Sequence, residues 1–474
     1  LFLSLSTEGS LRTKYLQQAL SQGALVVLFE SSQALTDDEM VVLEHANASA
    51  YAVKNLSDKA AEIAARFYGH PSLALTVIAV TGTNGKTSVS QFIAQALESL
   101  EQPCGVIGTL GVGRVTDLKI TGMTTPDPVT LQNMLADFCQ QAIKYVVIEA
   151  SSHALDQGRL NSVAIDVAIL TNLSRDHLDY HQDMAGYAAA KKHLFNFDSL
   201  NTAIVNSAED FGQTLIEDLA KRSNISLLTY SSQTEEIATL YASGIESTVN
   251  GLSFTLHSES GVAKIQSSLF GRFNVDNLLA TAAYLLATGI SFDNAVNAIQ
   301  QCQAVDGRMQ TYGTAQQTHI VIDFAHSPSA LTQALQSLRT HVPENGHLWC
   351  VFGCGGDRDI GKRPLMGRAA ELYADKVVLT DDNPRSEQSE AIISDILSGF
   401  EKPEKVQIEQ DRKLAIANTI LAAKTKDIIL VAGKGHEQYQ EITGVQHPFS
   451  DAKVVMQALQ AANDDSHLLA GVKQ

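Results

Sequence analysis

Leu75-Thr76-Val77-Ile78-Ala79-Val80 runs directly into Thr81-Gly82-Thr83-Asn84-Gly85-Lys86-Thr87-Ser88. The first six residues are apolar and rich in β-formers, which predicts a buried strand. Ser88 to Leu100 then reads as a helix. A Gly-rich turn between strand and helix is the setting of a phosphate loop. Gly82 and Gly85 let backbone N–H groups turn toward phosphate oxygens, and the helix N-terminus adds positive potential. Lys86 is expected at the β and γ phosphates, and the Thr87 hydroxyl at Mg²⁺. Val80 stands where the usual formula has its first glycine. The bland alternative is a plain turn; Gly-Lys-Thr in this setting favours a nucleotide.

Outward from the loop, other strand ends carry polar chemistry. Glu149 follows the apolar strand Tyr145–Ile148, where a carboxylate can face a bound metal. Ser151-Ser152-His153 and Gln157-Gly158-Arg159 come next, a run suited to ligand contacts. The strand Ala164–Leu170 leads into Thr171-Asn172-Leu173-Ser174-Arg175-Asp176-His177-Leu178-Asp179-Tyr180-His181, dense in acids and histidines. A metal or phosphate role for Asp176, His177 or His181 and a capped surface loop both fit that stretch. Tyr187 to Phe195 is helical by propensity, and its lysines are expected to face solvent.

A second cluster lies later. Gly353-Cys354-Gly355-Gly356-Asp357-Arg358-Asp359, Asp381-Asp382-Asn383-Pro384-Arg385 and Ala432-Gly433-Lys434-Gly435-His436-Glu437 each follow a predicted strand. Arg pairs bidentately with carboxylate and acids pair with ammonium, so three such loops suggest a zwitterion pocket.

The 474 residues suggest about three domains. The reading divides them into 1–72, 73–305 and 306–474. Strands alternating with helices imply α/β architecture, with a central, mostly parallel phosphate-loop sheet and a C-terminal Rossmann-like sheet. The stretch 225–270 is less regular and reads as antiparallel. Net charge is −18, which disfavours nucleic acid and anionic membranes as partners. No apolar run reaches the roughly 18 residues of a membrane helix, and the opening residues have no signal-peptide pattern. Five cysteines without a CxxC pair point to reduced thiols and a cytoplasmic setting. Nothing calls for a partner subunit, so a monomer is expected.

Together the motifs resemble the Mur ligase family, the ATP-dependent amino-acid-adding enzymes of peptidoglycan precursor synthesis. The carrying run is TGTNGKTS, TTPDP from Thr124, EASSHAL from Glu149, NLSRDHLDYH from Asn172, YAAAK ending at Lys191, GRFNVDN from Gly271, DGRMQ from Asp306, DFAHSP from Asp323, GCGGDRD, DDNPR and AGKGHE. The chain is most similar to members that add meso-diaminopimelate to UDP-N-acetylmuramoyl-L-alanyl-D-glutamate, and DNPR is the feature pointing to diaminopimelate over lysine.

The resemblance implies ATP and Mg²⁺ as cofactors. It places Gly82, Thr83, Asn84, Gly85, Lys86, Thr87, Ser88, Asn274, Asn277, Arg308 and Asp323 at ATP. It implies Thr87, Glu149, His177 and Lys191 at the metal sites, with Lys191 carbamylated by CO₂, and Lys86, Lys191 and His177 in catalysis. Thr124, Thr125, Ser151, Gln157, Arg159 and Lys191 match positions gripping the UDP-muramoyl dipeptide. Arg358, Asp382, Asn383, Pro384, Arg385, Gly433 and Glu437 match the diaminopimelate pocket. Relatives carry a further N-terminal strand and loop near uracil, so some UDP contacts are expected to be missing here. A lysine-adding member and a folylpolyglutamate synthetase-like ligase are the nearest enzyme alternatives. A nucleotide-binding module without ligation is the third.

Overall fold

The computed structural model describes residues 1–5, 9–233, 238–313 and 318–471. Three sheets of three or more strands organise them, and a two-stranded hairpin, 439–442 with 445–448, makes a fourth. The first is small and parallel, with strands Phe2–Ser4, Val26–Glu30 and Ser49–Val53 in that order. The helix expected at Gln17–Gln22 is longer, Gly9–Ser21. Helix Leu56–Phe67 buries the small face Ala60, Ala61, Ala64 and Ala65, then gives way to the connection at Pro71–Ala74.

The second sheet has eleven strands. Its parallel core runs in the order 240–248, 226–231, 202–206, 167–170, 76–81, 145–149, 104–108. Antiparallel strands extend both edges: 251–258 and 261–267 on one side, 111–114 and 117–119 on the other. The strand Thr76–Thr81 lies in the middle, and its side chains alternate between two cores. Ile78 and Val80 pack with Val89, Phe92 and Leu278. Val77 and Ala79 pack with Leu131, Leu135 and Leu155 on the opposite face. Helix Lys86–Ser99 follows the loop directly.

The third sheet has the order 310–312, 319–323, 428–432, 348–352, 376–379, 407–408, parallel except for the first strand. Ser327 caps helix Pro328–Arg339, with Pro at its first turn as expected. All five cysteines are free, and Cys350 and Cys354 are buried. Among the described residues no helix is long and apolar enough to cross a membrane.

Two contacts fix the third sheet's surroundings. His341 bridges the second and third units: its Nε2 accepts from the Gly271 N–H at 3.0 Å, and its Nδ1 lies 2.7 Å from the Thr248 carbonyl. The buried Arg412 donates to both oxygens of the buried Asp451, at 2.8 and 2.7 Å, tying helix Arg412–Ala422 to the last helix. Arg412→Ala strands the Asp451 charge in the interior, at a cost of about 3–5 kcal/mol. Combining Arg412→Met with Asp451→Leu removes both charges together and is expected to destabilise much less. Urea unfolding followed at the single tryptophan, Trp349 in the third sheet, reads both.

Candidate active site

The phosphate loop leaves the middle of the central sheet. Gly82 has φ +147° and Gly85 has φ +84°, backbone that favours glycine. A Cβ on Gly82 would lie 1.9 Å from Thr171 Oγ1, and one on Gly85 would lie 2.7 Å from Asn277 Oδ1. The loop is therefore wedged between the next strand's end and helix Phe273–Ala287. Asn277 and Asn274, both buried, sit behind it; Asn277 Nδ2 donates to Asn274 Oδ1 at 2.8 Å. Thr83 is held by its side chain to the Ser174 carbonyl at 3.1 Å. The Asn84 N–H donates to Asn172 Oδ1 at 2.9 Å. The loop and the Thr171–Ser174 segment thus form one rigid cradle. Ser88, in the first helical turn, is buried.

Glu149 ends the neighbouring strand and is buried. Its carboxylate accepts from the Thr87 hydroxyl at 2.9 Å, the Thr109 N–H at 2.9 Å and the Thr109 hydroxyl at 3.0 Å. Gly108 makes this possible, since a Cβ there would lie 2.2 Å from Glu149 Oε1. A hydroxyl beside one carboxylate fits Mg²⁺ that takes its remaining oxygens from nucleotide phosphates. Among the described residues no three His, Cys, Asp or Glu side chains gather into a metal-ready group. His177 is not joined to Glu149. Its exposed ring stands against His153, 4.8 Å between centroids, and beside Asp176.

Lys191 departs from its expected solvent-facing place. It is 1% exposed, and its Nζ donates to the Gly82 carbonyl at 2.7 Å. Lys86 Nζ donates to the same carbonyl at 2.9 Å and to that of Thr83 at 2.9 Å. Two lysines thus meet on one oxygen. Burial pulls Lys191 down to about 6, Lys86 pushes the same way, and Asp176 opposes. Burial also lowers Lys86, against the Glu149 charge. Tyr187 lies under the end of the Lys191 side chain, 4.3 Å from Nζ to ring centroid, and its hydroxyl is 3.2 Å from Thr83 Oγ1.

Apart from Lys191, the residues matched to the dipeptide form one network. The Thr125 hydroxyl donates to the Glu149 carbonyl at 2.5 Å and accepts from the Ser151 N–H at 3.2 Å. Arg159 donates to the Thr125 carbonyl at 2.8 Å and to Gln157 Oε1 at 2.9 and 2.6 Å. Thr124 joins through Thr109, 3.1 Å between hydroxyls. Arg308 and Asp323 come from the third unit. Asp323 accepts from the Met309 and Ala325 N–H groups at 2.8 and 2.9 Å, and burial raises its pKa against the Arg308 charge. The Arg308 guanidinium lies 5.2 Å from the Phe324 ring centroid.

The other cluster sits at strand ends of the third sheet. Asp382, Asn383 and Pro384 are buried and Arg385 is partly so. Asn383 Nδ2 donates to Glu437 at 2.9 Å. A Cβ on Gly433 (φ +113°) would lie 2.4 Å from Asp382 Oδ2, so that glycine makes room for the acid. Burial raises Asp382, with Arg412 and Lys434 opposing. Arg385 donates to Glu441 at 3.1 Å and to the Gly356 carbonyl at 2.7 Å. Arg358 is exposed on its loop. Sequence reasoning missed Lys434: fully buried, it donates to Asn383 Oδ1 at 2.9 Å and to Glu437 at 2.8 Å. Its only sequence signal is its place between two glycines.

Family models match most of both clusters: the Mur ligase middle domain over residues 80–285 and the Mur ligase glutamate ligase domain over 307–435. The chain belongs to the Mur ligase family. A Pseudomonas putida relative, UDP-N-acetylmuramoyl-L-alanyl-D-glutamate–2,6-diaminopimelate ligase, is 44% identical over 94% of this chain and 90% of its own length. A solved structure bearing the same enzyme name has a TM-score of 0.72 and 37% identity, covering 98% of this chain and 92% of that one. Mycobacterium tuberculosis folylpolyglutamate synthase complexed with ADP and AMPPCP has a TM-score of 0.62 at 20% identity, covering 79% and 92%; it shares the fold. As a Mur ligase the chain keeps its phosphate loop in the first matched region and its Asp382–Arg385 loop in the second.

Proposed function

We propose that this Mur ligase adds meso-diaminopimelate to the D-glutamyl γ-carboxylate of UDP-N-acetylmuramoyl-L-alanyl-D-glutamate, using ATP, through an acyl phosphate. It works as a cytoplasmic monomer, with 1–72 serving the UDP end, 73–305 ATP and 306–474 the amino acid. The observation that carries the reading is the convergence of Lys86 and Lys191 on the Gly82 carbonyl, in the loop that also presents the Thr87–Glu149 pair.

The γ-carboxylate attacks the ATP γ-phosphorus and ADP leaves. Two anions must meet, so charge has to be screened. An ammonium has three N–H donors. Lys86 commits two to its own loop, which fixes it and leaves one for a phosphate oxygen. Thr87 and Glu149 would hold Mg²⁺, which supplies further charge neutralisation when bound. The network from Thr125 to Arg159 positions the dipeptide. The amine of diaminopimelate then attacks the acyl carbon. The tetrahedral intermediate expels phosphate, the amine loses a proton, and an amide remains.

Lys191 at about 6 is a neutral amine at neutral pH. Only that form attacks CO₂: the N–C bond forms, one proton leaves, and the retained N–H can still donate to Gly82. The product is an anion suited to support Mg²⁺ beside the phosphates. With ¹³C-bicarbonate, a carbamate carbon signal is expected to grow as pH rises from about 6 to about 8 and to be weaker near about 5.5, where most of the amine is protonated. The same shift sets a sign for stability. The folded state binds fewer protons than the unfolded one above about pH 6, so unmodified Lys191 favours folding more as pH climbs toward about 10. A carbamate signal insensitive to pH, or none at all in wild type, counts against the role.

Phosphate release tests the function. The reaction holds ATP, Mg²⁺ and UDP-N-acetylmuramoyl-L-alanyl-D-glutamate, with meso-diaminopimelate, L-lysine or no amino acid. Turnover with diaminopimelate alone, and its product by mass, is expected. Turnover with lysine alone overturns the specificity.

A further inference from the structure

The hairpin Tyr439–Ile442 and Val445–Pro448 follows the Gly433–Glu437 loop, and no motif of the sequence marks it. We propose that Glu441, on its first strand, is a positioning residue that aims Arg385 at the distal carboxylate of the incoming amino acid. The inference rests on the function proposed above and names a further determinant of its specificity.

The backbone comes first. Residues of the hairpin run alongside the Asp382–Arg385 loop, with Arg385 and Ile442 paired in parallel. The Arg385 N–H donates to the Glu441 carbonyl at 3.0 Å, and the Thr443 N–H donates to the Arg385 carbonyl at 2.7 Å. The Glu441 N–H donates to Asn383 Oδ1 at 2.9 Å. Arg385 itself has φ +52°, a left-handed backbone that a residue with a side chain seldom adopts. Such a conformation persists where the surroundings over-determine it, and ligand clamps are a common place to find it. Here the hairpin supplies the surroundings.

The side chain follows. A guanidinium carries five N–H donors. Glu441 takes the one on Nε at 3.1 Å, and the Gly356 carbonyl takes one on Nη1 at 2.7 Å. The three that remain lie on Nη1 and Nη2, the end of the fork that suits a carboxylate held by two parallel bonds. The two side chains are 19% and 25% exposed, so the pair lies where solvent screening is reduced yet a ligand can reach it. An arginine without this brace keeps its side-chain rotamers until substrate arrives and must lose them on binding.

Glu441→Ala is therefore expected to raise KM for meso-diaminopimelate about tenfold, the scale of one hydrogen bond to a charged group. Its kcat and its KM for ATP should stay within about twofold of wild type, and its response to lysine, which has no distal carboxylate, should match that of wild type. Glu441→Gln keeps an oxygen for Nε and is expected to recover most of the lost affinity. In a double-mutant cycle, Glu441→Ala should add nothing on an Arg385→Ala background. An unchanged KM for diaminopimelate in Glu441→Ala, or a loss that adds fully to that of Arg385→Ala, overturns the positioning role. If wild type itself ignores diaminopimelate, the proposed function fails instead, so the two failures are told apart by the wild-type control.

Discussion

Lys191→Ala is expected to lose at least about 99% of turnover, a loss typical of removing one preorganised electrostatic group from an active site. Acetate, formate and propionate should restore part of it. The change deletes the side chain beyond Cβ and leaves a buried space beside Gly82 and Tyr187. A short carboxylic acid brings into that space the charge that a carbamate would have carried. Lys191→Arg serves as the control, because it keeps a cation and cannot be carbamylated; it should be inactive and unrescued. ADP affinity should fall only a few-fold in both variants, since the loop keeps its bonds to Ser174 and Asn172. Activity in Lys191→Ala near the wild-type level, with no response to added acids, would sink the carbamate role.

The second large effect is at Arg385. Arg385→Ala is expected to raise KM for meso-diaminopimelate about a hundredfold, because a desolvated bidentate partner of a carboxylate is lost. Lysine should be used no worse than before, as it has nothing for Arg385 to hold. Arg385→Lys should not recover the loss, because an ammonium lacks the planar fork. Steady-state kinetics with each amino acid varied at saturating ATP decides it. Equal kinetics with diaminopimelate in wild type and Arg385→Ala would remove Arg385 from the pocket.

The strand, turn and helix around Thr81–Ser88 are legible in the sequence because each is local. Apolar β-formers, two glycines and a helical run need no distant partner to be read. The loops after Ile148, Leu379 and Val431 are legible for the same reason: a parallel sheet places chemistry at strand ends. Burial of charge is not legible. Lys191 sits on a short helix among alanines, and its burial is decided by Gly82, a residue far away in sequence. Lys434 is buried because Asn383 and Glu437 converge on it. Such side chains are read as solvent-facing by default, since the cost of burying them is visible only once their partners are known. Resemblance supplies Lys191 but assigns no role to Lys434, although the AGKGHE motif contains it, or to Glu441. It also assigns His177 to the metal site, whereas the contacts seen here put that ring with His153 and Asp176.

The strand bearing the phosphate loop lies between 145–149 and 167–170, both later in the chain. On a ribosome it is therefore made well before either edge that will cover it. Its backbone N–H and C=O groups stay without sheet partners through that interval, on one of the most apolar stretches of the protein. Synthesis has to proceed past Leu170 before the cradle for nucleotide can close, and past helix Phe273–Ala287 before Asn277 backs it. A nascent chain halted before Leu170 would thus present an open apolar β-edge and no nucleotide site, a species suited to chaperone capture and unable to be rescued by ATP.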